Sequence, residues 1–476
     1  MVGITSYGAY VPLLRLDKKV IGGRGEKAIA HYDEDNVTMA VAAVNDCLKG
    51  LDRSAVDGLY FATTTAPYRE HMGAVTIAMA SDLKQDTCTA EFGNSLRSGT
   101  AALKAAIDGV KSGSARSMVV TASDCRPAVP GSALEKNFGD GAAAILIGEE
   151  NVAVTLEGNY SVYNEIYDIW RNENDAFVRT WEDRFSVEQG YLPSMYEAVS
   201  GLMKKCNYKP ADFAKVVFYS PDARRGAQVA KNLGFEAGQV QDPLVNNMGN
   251  TGAASALMLL VAALEEAKAG DLILLASYGN GADAFALKVT DQIEKIQSSS
   301  RMGMKGYLAS KKITTDYLKY LRWRKIVPLE QIAGPHAAYS AVAAKRDYNK
   351  TISIHGTKCT ACGYVQYPPQ RICINCHAKD QMEPYSFLGK EGKIVTYNMD
   401  YITPSVDVPV TTTEVDFIGG GRIQGYMTEV DLDKITIDLP VEMTFRRYPL
   451  WEEISLRQGV YIYFWKSVPL RSSVAE

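Results

Sequence analysis

No stretch of this sequence stays apolar long enough to cross a bilayer. The longest apolar helix-like run, Ala254 to Leu264, stops at Glu265-Glu266, far short of the roughly 20 residues a spanning helix needs. It reads as a buried core helix. A basic start followed by an apolar stretch is missing as well. Met1 leads into Val-Gly-Ile-Thr-Ser-Tyr-Gly, so no secretory leader is expected. Neither sign of charge dominates: 51 Lys and Arg face 55 Asp and Glu, a net −4. That balance excludes a polyanion held by bulk charge. A disulfide framework is absent too. Of eight cysteines, Cys47, Cys88, Cys125 and Cys206 are scattered and four form one tight cluster. The pattern fits a reducing, cytoplasmic setting with a single metal site. The remaining composition, 46% hydrophobic and 22% charged, is that of a globular chain of two to four domains.

Residues 1–290 alternate strand-like runs with helical patterns, which predicts an α/β fold whose sheets are covered by helices. Strands are expected at Gly58–Thr63, Ser117–Ala122 and Lys215–Tyr219, and helices at Asn36–Lys49, Gly99–Lys111 and Gly252–Lys268. A repeat is legible inside this region. Gly99-Thr-Ala-Ala-Leu opens a helix that leads to the strand Ser-Met-Val-Val-Thr-Ala-Ser and then to Gly139-Asp-Gly141. Asn250-Thr-Gly-Ala-Ala-Ser opens another that leads to Leu-Ile-Leu-Leu-Ala-Ser and then to Gly279-Asn-Gly281. Each Gly-X-Gly is a tight turn feeding a buried strand. Two such units imply duplicated halves, about 1–150 and 151–290; chance likeness between two α/β units is the alternative.

From 291 to 350 the pattern turns helical, with Leu318, Tyr320, Leu321 and Trp323 as an apolar face after the break at Ser298-Ser-Ser300. This stretch reads as a connector. From 351 the chain is β-rich. Short strands are expected at Ile394–Met399, Thr411–Phe417, Arg422–Glu429 and Val460–Trp465, with a hairpin turn at Gly419-Gly-Gly421. A small barrel closes such a set of strands.

Cys359-Thr-Ala-Cys362 and Cys373-Ile-Asn-Cys376 form two Cys-X2-Cys knuckles. Thiolates at this spacing supply four tetrahedral ligands to one Zn²⁺, and an iron centre uses the same set. Four thiolates leave no open coordination position, so the site is expected to be structural, and it replaces the core that so small a lobe lacks. His377, next to a ligand, reads as a surface or outer-sphere residue. The lobe divides into 351–386 and a barrel at 387–476.

At this point the residues resemble a known family. Gly3-Ile-Thr-Ser-Tyr-Gly-Ala-Tyr-Val-Pro, Asp33-Glu-Asp-Asn-Val-Thr-Met-Ala, Gly99-Thr-Ala-Ala-Leu, Gly139-Asp-Gly-Ala-Ala-Ala, Asp168-Ile-Trp-Arg, Gly249-Asn-Thr and Ser277-Tyr-Gly-Asn-Gly occur in order. Together they resemble the 3-hydroxy-3-methylglutaryl-CoA synthase branch of the thiolase superfamily. The resemblance implies a duplicated thiolase fold in five layers, αβαβα, an acyl-CoA thioester as substrate, and at least a homodimer. Lys358-Cys-Thr-Ala-Cys-Gly-Tyr-Val-Gln-Tyr-Pro-Pro resembles the rubredoxin-like zinc ribbon plus OB-fold module that accompanies many thiolase-type enzymes.

The departures from that family bear on mechanism. Its nucleophilic Cys precedes the Gly-Thr that opens a buried helix; here the stretch reads Glu91-Phe-Gly-Asn-Ser-Leu96-Arg-Ser-Gly-Thr100, with Leu96 at the Cys position. Leucine forms no thioester. The catalytic His of a His-Ser-Pro context is replaced by Tyr219 in Tyr219-Ser-Pro221, and the family's Glu by Thr64 in Thr63-Thr-Thr65. Asn250 of the Gly-Asn-Thr motif is retained. Tyr219 and Asn250 are therefore expected to hydrogen-bond an oxygen that becomes negative, which suits an aldol or retro-aldol step beside a CoA thioester. Some thiolase-fold aldolases that partner with zinc-ribbon/OB modules work with tyrosines and no cysteine.

Ser95 adjoins the vacant position, where a helix start would activate a nucleophile or simply be capped. Thr64, Leu96, Arg97, Tyr68, Trp170 and Gly279 are expected to contact substrate, with Arg97 a solvent contact or a CoA phosphate ligand. Glu70 and His71 share the stretch with Tyr68. Cys47, Cys88, Cys125 and Cys206 read as packing residues, with Cys125 the outside candidate for a nucleophile. Two other functions compete: a non-catalytic acyl-CoA-binding scaffold, and single-stranded nucleic-acid binding through the OB barrel, against which stands the lack of a basic stripe.

Overall fold

The computed structural model describes residues 1–327, 340–403, 405–448 and 460–471. Contacts divide the chain into two units. Unit 1 comprises Met1–Ala30, Ala42–Val75 and Lys84–Tyr317; unit 2 comprises His31–Val41, Thr76–Leu83 and Leu318–Glu476. No helix among the described residues is long and apolar enough to cross a membrane.

Unit 1 is built on nine strands. Their order is Lys215–Phe218, Leu272–Tyr278, Gly281–Val289, Val154–Tyr163, Gly3–Tyr10, Gly141–Gly148, Met118–Asp124, Gly58–Ala62 and Cys88–Phe92. Between the described strands Gly3–Tyr10 and Val154–Tyr163 two residue pairs, Gly3–Thr155 and Ile4–Val154, continue the sheet from one half to the other, so the sheet is in effect two sheets. The repeat read from sequence is physical. Helix Ser98–Lys111 leads to Met118–Asp124, which pairs antiparallel with Gly141–Gly148. Helix Ser255–Leu264 leads to Leu272–Tyr278, which pairs antiparallel with Gly281–Val289.

Those two helices touch each other and the strands of their halves. The second is buried almost all round, as a helix between two sheets must be. It ends at Leu264, short of the expected Lys268: Glu266 and Lys268 are exposed, and Glu265 turns its carboxylate to the Met304 and Lys305 amides. Small residues set the spacing. A Cβ at Gly99 would strike the Ala253 carbonyl oxygen at 2.6 Å, so the helix starts can approach only through glycine. The strand Gly-Ala-Ala-Ala-Ile-Leu-Ile-Gly is buried along its whole length, the pattern of a strand covered on both faces. Helix Leu192–Cys206 packs on Val154–Tyr163, Gly281–Val289 and Leu272–Tyr278. Of the connector, Ile293–Gln297 and Gly303–Ala309 lie in unit 1 against Gly3–Tyr10. The part at 328–339 lies outside the described residues.

Unit 2 holds a three-stranded ribbon, ordered Val365–Gln366, His355–Cys359, Met382–Ser386, and a five-stranded sheet, ordered Arg422–Tyr426, Val410–Phe417, Glu391–Asp400, Pro440–Arg447, Tyr463–Pro469. A bridge from Met427 to Ser467 ties the end of the first strand of the latter to its last, giving a nearly closed OB-like barrel. Val410–Phe417 alternates buried and half-buried residues, as barrel strands do. Arg422–Tyr426 stops short of the expected Glu429, where Glu429 takes a φ of 54°. Gly419, Gly420 and Gly421 all have positive φ, which explains the triple glycine of the turn. The strand Pro440–Arg447 went unexpected.

A buried ion network lies within unit 2. Lys466 Nζ stands 2.6 Å from Asp33 Oδ2, His31 Nδ1 2.7 Å from Asp33 Oδ1, and Arg446 Nη2 3.2 Å from Glu34 Oε1. Burial would push the His31 pKa down, but Asp33 and Asp407 outweigh it and raise it to about 9.

Candidate functional site

A cavity of about 910 Å³ opens in unit 1. Its walls are residues 63–69, 91–96, 165–178 and 278–280, with Arg126 at one side. Thr63–Thr65, Gly93–Leu96, Arg126 and Tyr278–Asn280 all lie at or just past the carboxyl ends of Gly58–Ala62, Cys88–Phe92, Met118–Asp124 and Leu272–Tyr278. Ligands bind at such strand ends in α/β sheets. Thr64, Tyr68, Ser95, Leu96, Trp170 and Gly279 line this cavity, whereas Arg97, Tyr219 and Asn250 do not. Among the described residues no cysteine lines it.

Leu96 is buried in a cluster with Tyr191, Tyr219 and Tyr278. A Cβ on Gly279 would meet Ser95 Oγ at 2.6 Å and the Leu96 amide nitrogen at 2.9 Å, so glycine lets the two walls touch. Ser95 Oγ donates to the Gly279 carbonyl at 3.0 Å. Arg97 donates to the Val162 carbonyl at 3.0 Å and to Asp283 Oδ1 at 3.1 Å. It lines a separate hollow of about 460 Å³ with Ser98, Lys104 and Asp283. Thr64 is committed to Asp124, which accepts from the Thr64 amide at 2.7 Å and from its hydroxyl at 2.9 Å. Trp170 packs at 6.2 Å from Trp181, and Tyr68 meets His71 edge to face at 5.1 Å.

Tyr219 and Asn250 are neighbours in the interior. The Asn250 and Arg126 side chains favour the charged form of the Tyr219 phenol, yet burial outweighs both and holds its pKa above the ordinary value. The phenol is therefore neutral at pH 7. Asn250 Nδ2 donates to the Ser220 carbonyl at 2.9 Å, and its Oδ1 accepts from Arg126 Nη2 at 2.7 Å and from the Gly252 amide at 3.0 Å.

Sequence reasoning did not single out Arg126, Asp168, Tyr278 or Asp124 as site residues. Asp168 and Tyr278 line the cavity, and the Tyr278 hydroxyl donates to Asp168 Oδ2 at 2.5 Å. Burial pushes the Asp168 carboxyl up, against the opposing hydrogen bond from Tyr278. The Tyr278 phenol is pushed up by burial and then by Asp168. The signal that points to these residues is positional: polar groups at the carboxyl ends of buried strands.

In unit 2 the four knuckle thiols converge. Cys359 and Cys376 Sγ are 3.7 Å apart, Cys362 and Cys373 Sγ 3.6 Å, and all four lie within 4.8 Å of one another. Four thiolates at about 2.3 Å from a tetrahedral Zn²⁺ stand about 3.8 Å apart, so the donors fit that ion. The knuckles share one shape. Gly363 N donates to the Cys359 carbonyl at 2.8 Å and His377 N to the Cys373 carbonyl at 3.0 Å. Gly363 and His377, each following the second Cys, both have positive φ. His377 itself is exposed.

Comparison with known proteins fits this geometry. A hydroxymethylglutaryl-CoA synthase of Thermococcus sibiricus is 35% identical over 338 residues, covering 68% of this chain and 96% of the relative. The chain belongs to the hydroxymethylglutaryl-CoA synthase family. A second family member, from Pyrobaculum arsenaticum, is 32% identical over 347 residues, 69% of this chain and 99% of the relative. Family models match at residues 203–290 (3-oxoacyl-[acyl-carrier-protein] synthase III C terminal), 354–383 (ChsH2, rubredoxin-like zinc ribbon domain) and 385–446 (ChsH2, C-terminal OB-fold domain). A solved hydroxymethylglutaryl-CoA synthase complexed with CoA superposes with a TM-score of 0.62 at 21% identity, covering 71% of this chain and 94% of that one. A 3-oxoacyl-[acyl-carrier-protein] synthase III from Aquifex aeolicus gives 0.53 at 21% identity over 60% of this chain and all of its own. These structural matches place the thiolase-like fold in this member of the hydroxymethylglutaryl-CoA synthase family, alongside the ribbon and barrel of unit 2.

Proposed function

We propose that the protein makes or breaks a carbon–carbon bond beside an acyl-CoA thioester by aldol-type chemistry, with no acyl group carried on cysteine. The observation that carries this reading is Leu96: an aliphatic side chain lines the cavity at the position where the family resemblance implies a thiol, and among the described residues no cysteine lines the cavity. A coenzyme A thioester as substrate is supported by the relatives whose names specify it and by the cavity's size. Zn²⁺ in the four-cysteine site acts as a structural cross-link. A homodimer is the expected assembly.

Asp168 suits the role of proton carrier. Its raised carboxyl moves toward the range in which a group both accepts and returns a proton near neutrality. In the condensing direction it takes the proton from the thioester α-carbon. The resulting enolate carbon attacks the carbonyl carbon of a second substrate, and the alkoxide formed takes a proton back. The same path reversed cleaves the bond. Neutral Tyr219 and Asn250 supply the polar wall behind this end of the cavity.

The test is turnover by the purified chain and by Tyr219→Phe. The wild type alone is expected to interconvert a hydroxyacyl-CoA with an acyl-CoA and a carbonyl compound. The variant is expected to lose about 10²-fold or more in kcat while keeping its circular dichroism. Normal turnover in the variant, or a covalent acyl–sulfur adduct trapped in the wild type, removes the reading. Activity only on adding a partner enzyme would instead favour a scaffold.

A further inference from the structure

We infer that Arg126 receives a negatively charged oxygen of the substrate, so that the protein selects substrates whose reacting end carries or develops an anionic oxygen. The inference rests on the cavity being the reaction site, as proposed above, and adds the chemical class that the site accepts.

Arg126 is 5% exposed and lines the cavity. Its guanidinium lies 3.8 Å over the Phe138 ring. Nη2 donates to Asn250 Oδ1, and the guanidinium lies close enough to the Tyr219 phenol to favour its charged form. All of these partners are neutral. Nε is buried with no hydrogen-bond partner, and among the described residues no carboxylate forms an ion pair with this side chain. Asp124, two residues away, is saturated by other donors: the Thr63, Thr64 and Thr65 hydroxyls and the Thr64 and Ala253 amides. The other arginines of the cavity differ. Arg69 pairs with Glu173, and Arg171 donates to the Thr64 carbonyl; both are exposed.

Asp124 Oδ2 and Arg126 Nε face the same space, 2.2 and 3.0 Å from where a Cβ on Gly252 would stand, so Asp124 offsets part of the charge without bonding it, and a buried cation held in this way is still costly to keep folded. Packing against Phe138 and a hydrogen bond to Asn250 would be met as well by a neutral side chain. What a guanidinium adds is charge and a donor fork shaped for a carboxylate, enolate or alkoxide oxygen. Arg126 touches both Asn250 and Tyr219, so an anion bound there is also held against the two polar groups behind it. The shared chemistry is an anionic oxygen; its two sources are a permanent carboxylate on the substrate and the oxyanion formed during reaction.

The experiment compares wild type, Arg126→Lys and Arg126→Met, with Arg126→Gln replacing the last if it does not fold. The first readout is the ultraviolet absorbance of the enolate of bound acetoacetyl-CoA against pH. The wild type is expected to lower the apparent pKa of enolisation by about one unit or more, a tenfold change, and Arg126→Met to abolish that shift. The second is the affinity for succinyl-CoA over butyryl-CoA; a preference of about tenfold, lost in the variant, identifies a permanent carboxylate as the source. The third needs no coenzyme A: malonate at constant ionic strength raises the melting temperature of the wild type and not of Arg126→Met. An anion response in any readout that is lost in Arg126→Met and partly kept in Arg126→Lys supports the inference. Identical responses of wild type and Arg126→Met in all three overturn it. A wild type that binds no thioester, yet is stabilised by malonate through Arg126, would remove the proposed function and keep this inference.

Discussion

The zinc ribbon and the cavity of unit 1 solve the same problem, converging reactive groups, by opposite routes. The four thiols come from two knuckles between Cys359 and Cys376, each closed by its own backbone hydrogen bonds and a left-handed residue. The cavity gathers side chains from Thr63 to Asn280, delivered by four strand ends and a long loop. A local site depends on its own loop and on the ion it holds. A distributed site inherits its precision from a core that contains none of its chemistry. Local sites should therefore fail by unfolding, and distributed ones by losing activity in a structure that stays folded.

The largest effect expected from that contrast is in the ribbon. Cys373→Ser, or removal of metal by a strong chelator, should unfold the lobe around 354–383, because four-thiolate zinc supplies roughly 10 kcal/mol or more of folding free energy to such sites. Protease nicking confined to this lobe, with unit 1 intact, is the expected readout; cooperative loss of both would break the contrast. Next is Asp168→Asn, which keeps the shape of the cavity and removes the proposed proton carrier. A loss of about 10²–10⁴-fold in kcat with unchanged melting temperature is expected. Gly279→Ala should do less chemistry and more geometry. Its methyl pushes on Ser95 Oγ and the Leu96 amide, so KM should rise several-fold and stability fall by about 1–3 kcal/mol, measured by steady-state kinetics and urea unfolding.

The smallest effects separate the two units by pH. His31 in unit 2 is held at about 9, above its ordinary value of about 6.5. Its stabilisation is complete below pH 6.5 and is lost as pH rises toward 9. Glu265 in unit 1 is raised by burial to about 7, against the opposing amides of Lys305 and Met304. Its folded form binds a proton that the unfolded chain has released, so unit 1 loses stability as pH rises from about 4.5 to 7. Each effect should be at most about 3 kcal/mol. His31→Gln should flatten only the alkaline slope and Glu265→Gln only the acidic one, in unfolding followed by probes in each unit.

The element pattern of both units was legible because burial repeats with a period: two for barrel strands, continuous for covered strands, 3.6 for helices. Pro440–Arg447 escaped notice because its run, Pro-Val-Glu-Met-Thr-Phe-Arg-Arg, carries charges that the fold buries in pairs: Arg446 is fully enclosed beside Asp33 and Glu34. No local pattern signals a partner some 400 residues away. The residues at Leu96 and Thr64 in the cavity and at Tyr219 behind it stood out from motif context, yet their surroundings did not. Thr64 turned out to be tied to Asp124, and Arg97 to Asp283.

By itself the amino-acid sequence determined the duplicated α/β halves, the four-thiol cluster and an aliphatic residue at position 96, because each is written in neighbouring residues or in a repeating period. Only the tertiary structure decided that Tyr219 and Asn250 sit in the interior while Arg126, Asp168 and Tyr278 face the cavity. Those facts depend on which strand ends meet, and long-range packing fixes that through contacts no short stretch of sequence contains.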